Sequence, residues 1–471
     1  MKKQSGITAV ALVVILLATT MFSTSCSCLL PSPTPYGPKV TGDGTGGAIV
    51  VYEDIKGGNQ RDFYAQKISP NGGLFWGATG VLIGSGYKDS DSFFDLYIVS
   101  DSSGGAFAVW SAYPSEPDWR SAPGQRQIPY LTHISRVDAE GSILWQKEIG
   151  AVSQMISDGS GGVIIASISE EQKLNILKLD SKGNYPWGED GLPVYFGEYA
   201  HSLHMTSDGS GGVIIVQQNL TQTERNFEIF VQKVNSDGSL PWGQKGILLY
   251  PPWGNAEEVE IVNDGSGGAI VSWQVEWKDI RVQRVDANGN VLWQQNGVPL
   301  EINKAAEGPF LHTPLLVSDG SGNAIVTWED LRHGLASIYA QRVGSDGTIK
   351  WQPGGVEVCY IKTNASFWPR TALSDGSGGA ITACSYKEAE TNKKGLLIQR
   401  LDATGRAVWD NGVVVTESDH VTHVIAYDGY GGAIVAWGIG RGMFSSEKSY
   451  IQRIDSEGKL LWGEKGIRLN P

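Results

Sequence analysis

Apolar and polar positions fall in short runs along this chain, and the runs recur. The clearest unit extends from Leu315 to Val358: LLVSDGSGNAIVTW, a spacer, IYAQRVGSDGTIKW, then QPGGVEV. Each unit predicts four β runs. The first, such as Thr313–Val317 or Glu258–Val262, leads into an Asp-Gly turn. The second follows at once, as in Ala324–Trp328, Ala269–Trp273 and Ala433–Trp437. The third pairs Gln with a basic residue, as in Val282-Gln283-Arg284-Val285 and Ile451-Gln452-Arg453-Ile454. A second Gly turn then leads to a fourth run that holds a Trp. These runs are apolar on both faces, as in sheets covered on both sides.

The unit occurs eight times. Its Asp stands at Asp43, Asp101, Asp158, Asp208, Asp264, Asp319, Asp375 and Asp428, in steps of 58, 57, 50, 56, 55, 56 and 53 residues. Its Trp, four residues after a Gly, stands at Trp76, Trp145, Trp187, Trp242, Trp293, Trp351, Trp409 and Trp462. Such a period means stacked supersecondary units, none able to bury its faces alone. Four-stranded sheets stacked radially make a β-propeller. The predicted fold is therefore all-β: one eight-bladed β-propeller of four-stranded antiparallel blades over residues 36–471, each blade complete in sequence. The Trp side chains are expected at blade contacts. Only 13 residues separate Trp145 from Asp158, against 19 to 26 elsewhere, so the outer strand of repeat 2 is expected to be short.

The recurrent polar residues read as scaffold. Gly after each Asp supplies the positive φ of a tight turn, and the Asp side chain caps the turn amides. One carboxylate per turn falls far short of a calcium cage. Lys or Arg recurs in the third run at Lys67, Arg136, Lys178, Lys233, Arg284, Arg342, Arg400 and Arg453. Their stems are expected between blades, with the heads on a carbonyl, a carboxylate or a Trp face.

Charge and termini add an address. The net charge is −13, or −15 without Lys2 and Lys3, which disfavours nucleic acid as a partner. Lys2 and Lys3 precede an apolar run, Ile7–Leu17, and a small-residue segment ending in Cys26-Ser27-Cys28. That pattern is a secretory signal peptide, residues 1–28, too short for a comfortable membrane span. Residues 29–35 then form a Pro/Ser-rich tether. Two cysteines remain, Cys359 and Cys384, in neighbouring repeats; an exported chain allows them to pair, and two buried thiols is the plainer expectation.

Some of these stretches resemble known families. Ser25 before Cys26 resembles the lipobox of bacterial lipoproteins, with Ser23 where those carry Leu; this implies lipidation at Cys26 and membrane attachment through the N-terminal lipid. RVDANGNVLW (Arg284 to Trp293) and RIDSEGKLLW (Arg453 to Trp462) resemble the Trp-docking repeat of quinoprotein-type eight-bladed propellers, with a turn one residue shorter. The full unit is similar to repeats of bacterial exported proteins carrying DGSGGAIV and QRVD…G…LW segments. These likenesses imply a fold and an extracytoplasmic address, at the cell surface or in the periplasm, and no activity.

In a meandering blade the first and third turns share one face. They are short and uniform here, so specific recognition is expected on the opposite face, whose loops vary. Those loops hold Trp119 and Arg120, Trp253, Trp277, and Phe367 with Trp368, alongside Tyr87, Tyr113 and Tyr250. Such rings either stack on a sugar or anchor a peptide, or else plug the space between blade ends. His201 and His312 each lie seven residues before their Asp, in a ring of positions with Glu257 and Trp368. Their blades are too far apart for a zinc site, so they read as a polar channel mouth.

The function expected is a monomeric, non-enzymatic envelope or cell-surface propeller that binds a protein or glycan, with no cofactor. One alternative is a lipoprotein scaffold resembling the outer-membrane-assembly propeller. Another is an enzyme, either a quinone-dependent dehydrogenase or a glycan hydrolase or lyase. The sequence has no Walker loop, His-Glu-x-x-His or adjacent-cysteine signature, and its loop acids, Glu53, Asp54, Glu329 and Asp330, form no evident catalytic pair.

Overall fold

The repeated Asp turn shows how local sequence sets the architecture. In the computed structural model, Oδ1 of all eight recurrent Asp residues accepts the amides of the second and fourth residues that follow, at 2.7–3.3 Å. The fourth residue is usually Gly for a steric reason. A Cβ on Gly268 would sit 2.2 Å from the Val285 carbonyl oxygen. The turn thus closes a hairpin whose strands are held in one register.

The structure describes residues 37–57, 59–87, 96–116, 131–168, 174–194, 200–220, 227–251, 256–276, 279–300, 314–332, 336–359, 365–418, 421–440 and 448–470. Among them there is no helix, and the strands form eight antiparallel four-stranded sheets. Blade 1 is β1 (Lys39–Gly42), β2 (Ala48–Gly57), β3 (Gln60–Ile68) and β4 (Val81–Tyr87). Blade 2 is β5 (Tyr97–Ser100), β6 (Ala106–Ala112), β7 (Leu131–Val137) and β8 (Ile143–Ile149). Blade 3 is β9 (Val152–Ser157), β10 (Val163–Ile168), β11 (Leu174–Leu179) and β12 (Leu192–Pro193). Blade 4 is β13 (Ala200–Ser207), β14 (Val213–Leu220), β15 (Phe227–Val234) and β16 (Ile247–Tyr250). Blade 5 is β17 (Ala256–Asn263), β18 (Ala269–Val275), β19 (Asp279–Val285) and β20 (Val298–Pro299). Blade 6 is β21 (Leu315–Ser318), β22 (Ala324–Asp330), β23 (Ser337–Val343) and β24 (Val356–Glu357). Blade 7 is β25 (Ala365–Ser374), β26 (Ala380–Glu388), β27 (Lys394–Leu401) and β28 (Val413–Thr416). Blade 8 is β29 (Val421–Tyr427), β30 (Ala433–Ile439), β31 (Lys448–Ile454) and β32 (Ile467–Arg468).

Each sheet is a meander of consecutive strands, so every blade is complete in sequence. The first strands touch one another in a closed cycle from β1 through β5, β9, β13, β17, β21, β25 and β29 back to β1, and so surround a central channel. The core consists of eight apolar clusters, one between each pair of adjacent blades. The last of these joins Ile434, Ile451 and Trp462 of blade 8 to Val50, Tyr52 and Ile68 of blade 1. Side-chain contacts therefore close the ring, without an exchanged strand.

Two expectations fail, each for a geometric reason. The outer strand of blade 2 is not short: β8 has seven residues, like β4, whereas the others have two to four. Elsewhere the Trp is followed by a turn ending in Gly before strand four begins, as at Trp293, Gly297 and then β20. In blade 2, strand four runs straight through Trp145 and omits that turn. Cys359 and Cys384 are not free thiols: they form a disulfide. Cys359 follows the outer strand of blade 6, which lies against β26 of blade 7, and both sulfurs sit in the cluster those blades share.

Candidate functional site

The recurrent polar residues form one bonded chain around the ring. In seven blades the third-strand Lys or Arg lies 2.9–3.4 Å from Oδ2 of its own blade's Asp. Seven of the eight cations also donate to a carbonyl of the next blade, from Lys67 on Gly104 to Arg453 on Pro70. All eight recurrent Trp indoles do the same at 3.0–3.2 Å, ending with Trp462 on Pro70 across the ring closure. Six of these rings are buried; Trp145 and Trp242 are half-buried. Each ring covers the Gly of the next blade's third turn. Gly289 has φ 88°, and a Cβ there would meet Trp242 Cδ1 at 2.8 Å, so this position needs Gly for conformation and for space.

The Gln before the basic residue has a task that spacing alone did not reveal. Gln283 Oε1 accepts the Trp293 amide at 3.0 Å, and its Nε2 donates to the Gln294 carbonyl at 2.8 Å. Gln66, Gln341 and Gln452 clamp Trp76, Trp351 and Trp462 in the same way. Its recurrence beside the basic residue was the available signal. A buried amide with both ends bonded fixes the Trp-bearing turn.

Of the binding residues expected from sequence, Trp119, Arg120, Trp253, Trp277 and His312 lie outside the described residues, as does Cys26. His201 lies in β13, and Trp368 in β25 opposite Ser385. Other rings read as loop aromatics prove to be packing. Phe367 is buried beside the Cys359–Cys384 bridge. Tyr250 packs in the cluster of blades 4 and 5, tilted against Trp273. Tyr87 and Tyr113 exchange two backbone hydrogen bonds that stitch blade 1 to blade 2. Tyr113 is buried like Phe367 and Tyr250, and for these three the plugging role holds; Tyr87 is half-buried.

The acids read as loop residues stand on strands instead. Glu53 and Asp54 belong to β2, and Glu329 and Asp330 to β22, five blades on. Asp330 is consumed locally: Oδ1 accepts the Arg332 amide at 2.8 Å, while Oδ2 takes Arg332 Nη2 at 2.5 Å and Trp328 Nε1 at 3.2 Å. Burial pushes its carboxyl up, but the bonds from Arg332 outweigh that and hold it below the usual carboxylate range. A group so held is a poor proton donor.

The channel wall holds a pair that sequence reasoning missed. His204 on β13 and Glu260 on β17 each lie four residues before their repeat's Asp. His204 Nδ1 stands 3.6 Å from Glu260 Oε2. Burial takes the imidazole down to about 4. Burial, reinforced by Glu258, pushes the Glu260 carboxyl up to about 8. The shared offset was the signal. It was not decisive, because period alone does not say which side of an inner strand faces its neighbour.

No family model matches the chain, and no curated protein matches it. Solved structures similar to it include a eukaryotic initiation factor, at 11% identity and a TM-score of 0.45, over 90% of this chain and 85% of that one. The β-propeller domain of the Trilobed protease from Pyrococcus furiosus is 9% identical, with a TM-score of 0.42, over 80% of this chain and 99% of the domain. The acylaminoacyl peptidase of Pyrococcus horikoshii is 12% identical, with a TM-score of 0.43, over 78% of this chain. The chain spans about half the length of that peptidase. Likenesses this distant say nothing of activity. Strand pairing and ring closure define the class on their own: the protein is an eight-bladed β-propeller.

Proposed function

We propose that the protein is a monomeric, non-enzymatic propeller of the cell envelope or cell surface that binds a protein or glycan through the face opposite the Asp turns. One observation supports this above others. The residues repeated in every blade are engaged in capping turns and docking blades, which leaves the varied loops as the source of specificity. The Cys359–Cys384 bridge suits an oxidising, exported setting. The indole bonds between successive blades favour kinship with the Trp-docked, quinoprotein-type propellers. A glycan array and a pull-down from envelope extract test the reading. Once a ligand is in hand, Trp119→Ala and Trp253→Ala are expected to weaken binding about tenfold or more, the loss of a ring at a hot spot. Ser160→Ala and Ser266→Ala, on the turn face, are expected to leave affinity unchanged. The opposite pattern would place recognition on the turn face, and release of a cleaved glycan would make the protein an enzyme.

Attachment to the membrane is proposed through lipid on Cys26. Metabolic labelling with a fatty-acid analogue should mark the wild type and fail on Cys26→Ala. Labelling that persists in the variant moves the site to Cys28, and none in either reduces the segment to an ordinary signal peptide.

A further inference from the structure

The channel end nearest the Asp turns is not uniform. Between the inner strands of blades 5, 6 and 7 it opens into a recess of about 350 Å³, walled by Val262, Leu316, Val317, Ala372 and Leu373. Sequence accounts for the space. Three residues before the Asp, every other repeat carries Val, Ile, Leu or Met, from Val40 in the first to Ile425 in the last; repeat 7 alone has Ala372. The polar groups at the rim are already engaged. Ser318 and Ser374 Oγ accept the amides of Gly320 and Gly376, and Asn263 bonds Gly265 and the Ser207 carbonyl. Its walls are apolar beneath a polar rim.

One layer deeper the wall turns polar. Side chains two apart on a strand share a side, about 7 Å apart along it. Glu260 therefore lies below Val262, and Thr371 lies below Leu373. His204, 6% exposed, meets Glu260 from blade 4. Among the described residues, neither His204 Nε2 nor Thr371 Oγ1 has a hydrogen-bond partner. Glu260, with His204 beside it, thus lies one layer beneath the Val262 wall of the recess; an acid next to a neutral imidazole selects a hydrogen-bond donor, and a net charge of −13 favours a cation.

We propose that this part of the channel binds a small amphipathic amine, its apolar body in the recess and its protonated nitrogen against Glu260 and His204. A volume of this size suits a ligand of one or two rings. The surroundings of Glu260 fix the pH dependence. Among the described residues, His204 of β13 and Glu258 of its own strand are the titratable groups facing it. Ser272 of β18 pairs opposite it, Val216 and Val231 of β14 and β15 stand level with His204, and β21 contributes Leu315 and Leu316. With its carboxyl pushed up to about 8, Glu260 is protonated at neutral pH in the empty channel. A bound cation favours the carboxylate, so binding releases a proton. Affinity for the amine rises as pH climbs towards 8 and levels off above it.

The test is calorimetric titration of the full chain with 2-phenylethylamine and, as its uncharged counterpart, 2-phenylethanol. The amine is expected to bind in the micromolar to millimolar range and more tightly than the alcohol. Glu260→Gln should weaken the amine about tenfold above pH 8, abolish its pH dependence and spare the alcohol. Ala372→Leu should block both probes, with Ala372→Val as a milder filling and the melting temperature confirming that each variant folds. The proposal is overturned if the amine gives no saturable binding, if Glu260→Gln binds it as the wild type does, or if folded Ala372→Leu and Ala372→Val leave both affinities unchanged.

Discussion

Replacing Trp293 by Ala is expected to cost roughly 3–5 kcal/mol in a denaturant titration. The ring is buried in the cluster between blades 5 and 6, beside Ile270, Val282 and Tyr339. Its Nε1 donates to the Ser345 carbonyl of the next blade at 3.1 Å, and its plane covers Gly347, where a Cβ would meet Cδ1 at 2.8 Å. No neighbour can fill the space, because Gly347 has no side chain and its φ of 77° keeps it in the left-handed region. The cavity term is therefore added to the lost burial. Trp293→Phe separates the contributions: it keeps most of the apolar contact, loses the indole bond and should cost about 1–2 kcal/mol. A loss below about 1 kcal/mol for Trp293→Ala would mean that the docked indole does not hold the blades together.

The blades were legible because their period is written in residues with no alternative. Gly289 lies under a neighbour's ring at positive φ, and Asp264 caps the turn that begins each hairpin, so both recur at every unit. Features that depend on how one blade leans on the next were not legible. Cys359 follows the outer strand of blade 6 and Cys384 lies on the second strand of blade 7, and only radial packing brings the end of an outer strand onto its neighbour's second strand. Blade 2 was misread because the interval from Trp145 to Asp158 measures residues after the Trp, whereas β8 begins before it. Phe367 and Tyr250 looked like recognition rings because they flank variable segments, yet they fill the gap between blade ends. His204 and Glu260 share an offset that the sequence displays openly. Both stand in the same register to their own hairpin, His204 opposite Val216 and Glu260 opposite Ser272, but the residue types do not say that this side of an inner strand meets the neighbouring blade.

Asp264→Ala is expected to destabilise the protein by about 3–5 kcal/mol, although it deletes only a small side chain. Both carboxylate oxygens are committed. Oδ1 accepts the amides of Ser266 and Gly268 at 2.8 Å, while Oδ2 accepts Arg284 Nε at 3.0 Å and lies 2.9 Å from Nη2. The carboxylate has no exposed surface, and the Arg284 side chain has only 14%. Removing the acid leaves a guanidinium out of water without its counter-charge, and that penalty exceeds the worth of the individual hydrogen bonds. Arg284 cannot swing away freely, because its head is wedged against Gly322 of the next blade, where an added Cβ would lie 2.3 Å from Nη1. Asp264→Asn keeps the Oδ1 cap but turns an amide donor towards Arg284, so its cost should be intermediate. Adding Arg284→Met to Asp264→Ala removes the stranded charge and should restore part of the loss, because the two residues act as one unit. If Asp264→Ala costs under about 1 kcal/mol, or the double variant is no better than the single, the recurrent Asp is not held for this pairing. A calcium role predicts a different result: the wild type's stability would fall on chelation, whereas a carboxylate with both oxygens bound to protein donors predicts no response to chelator.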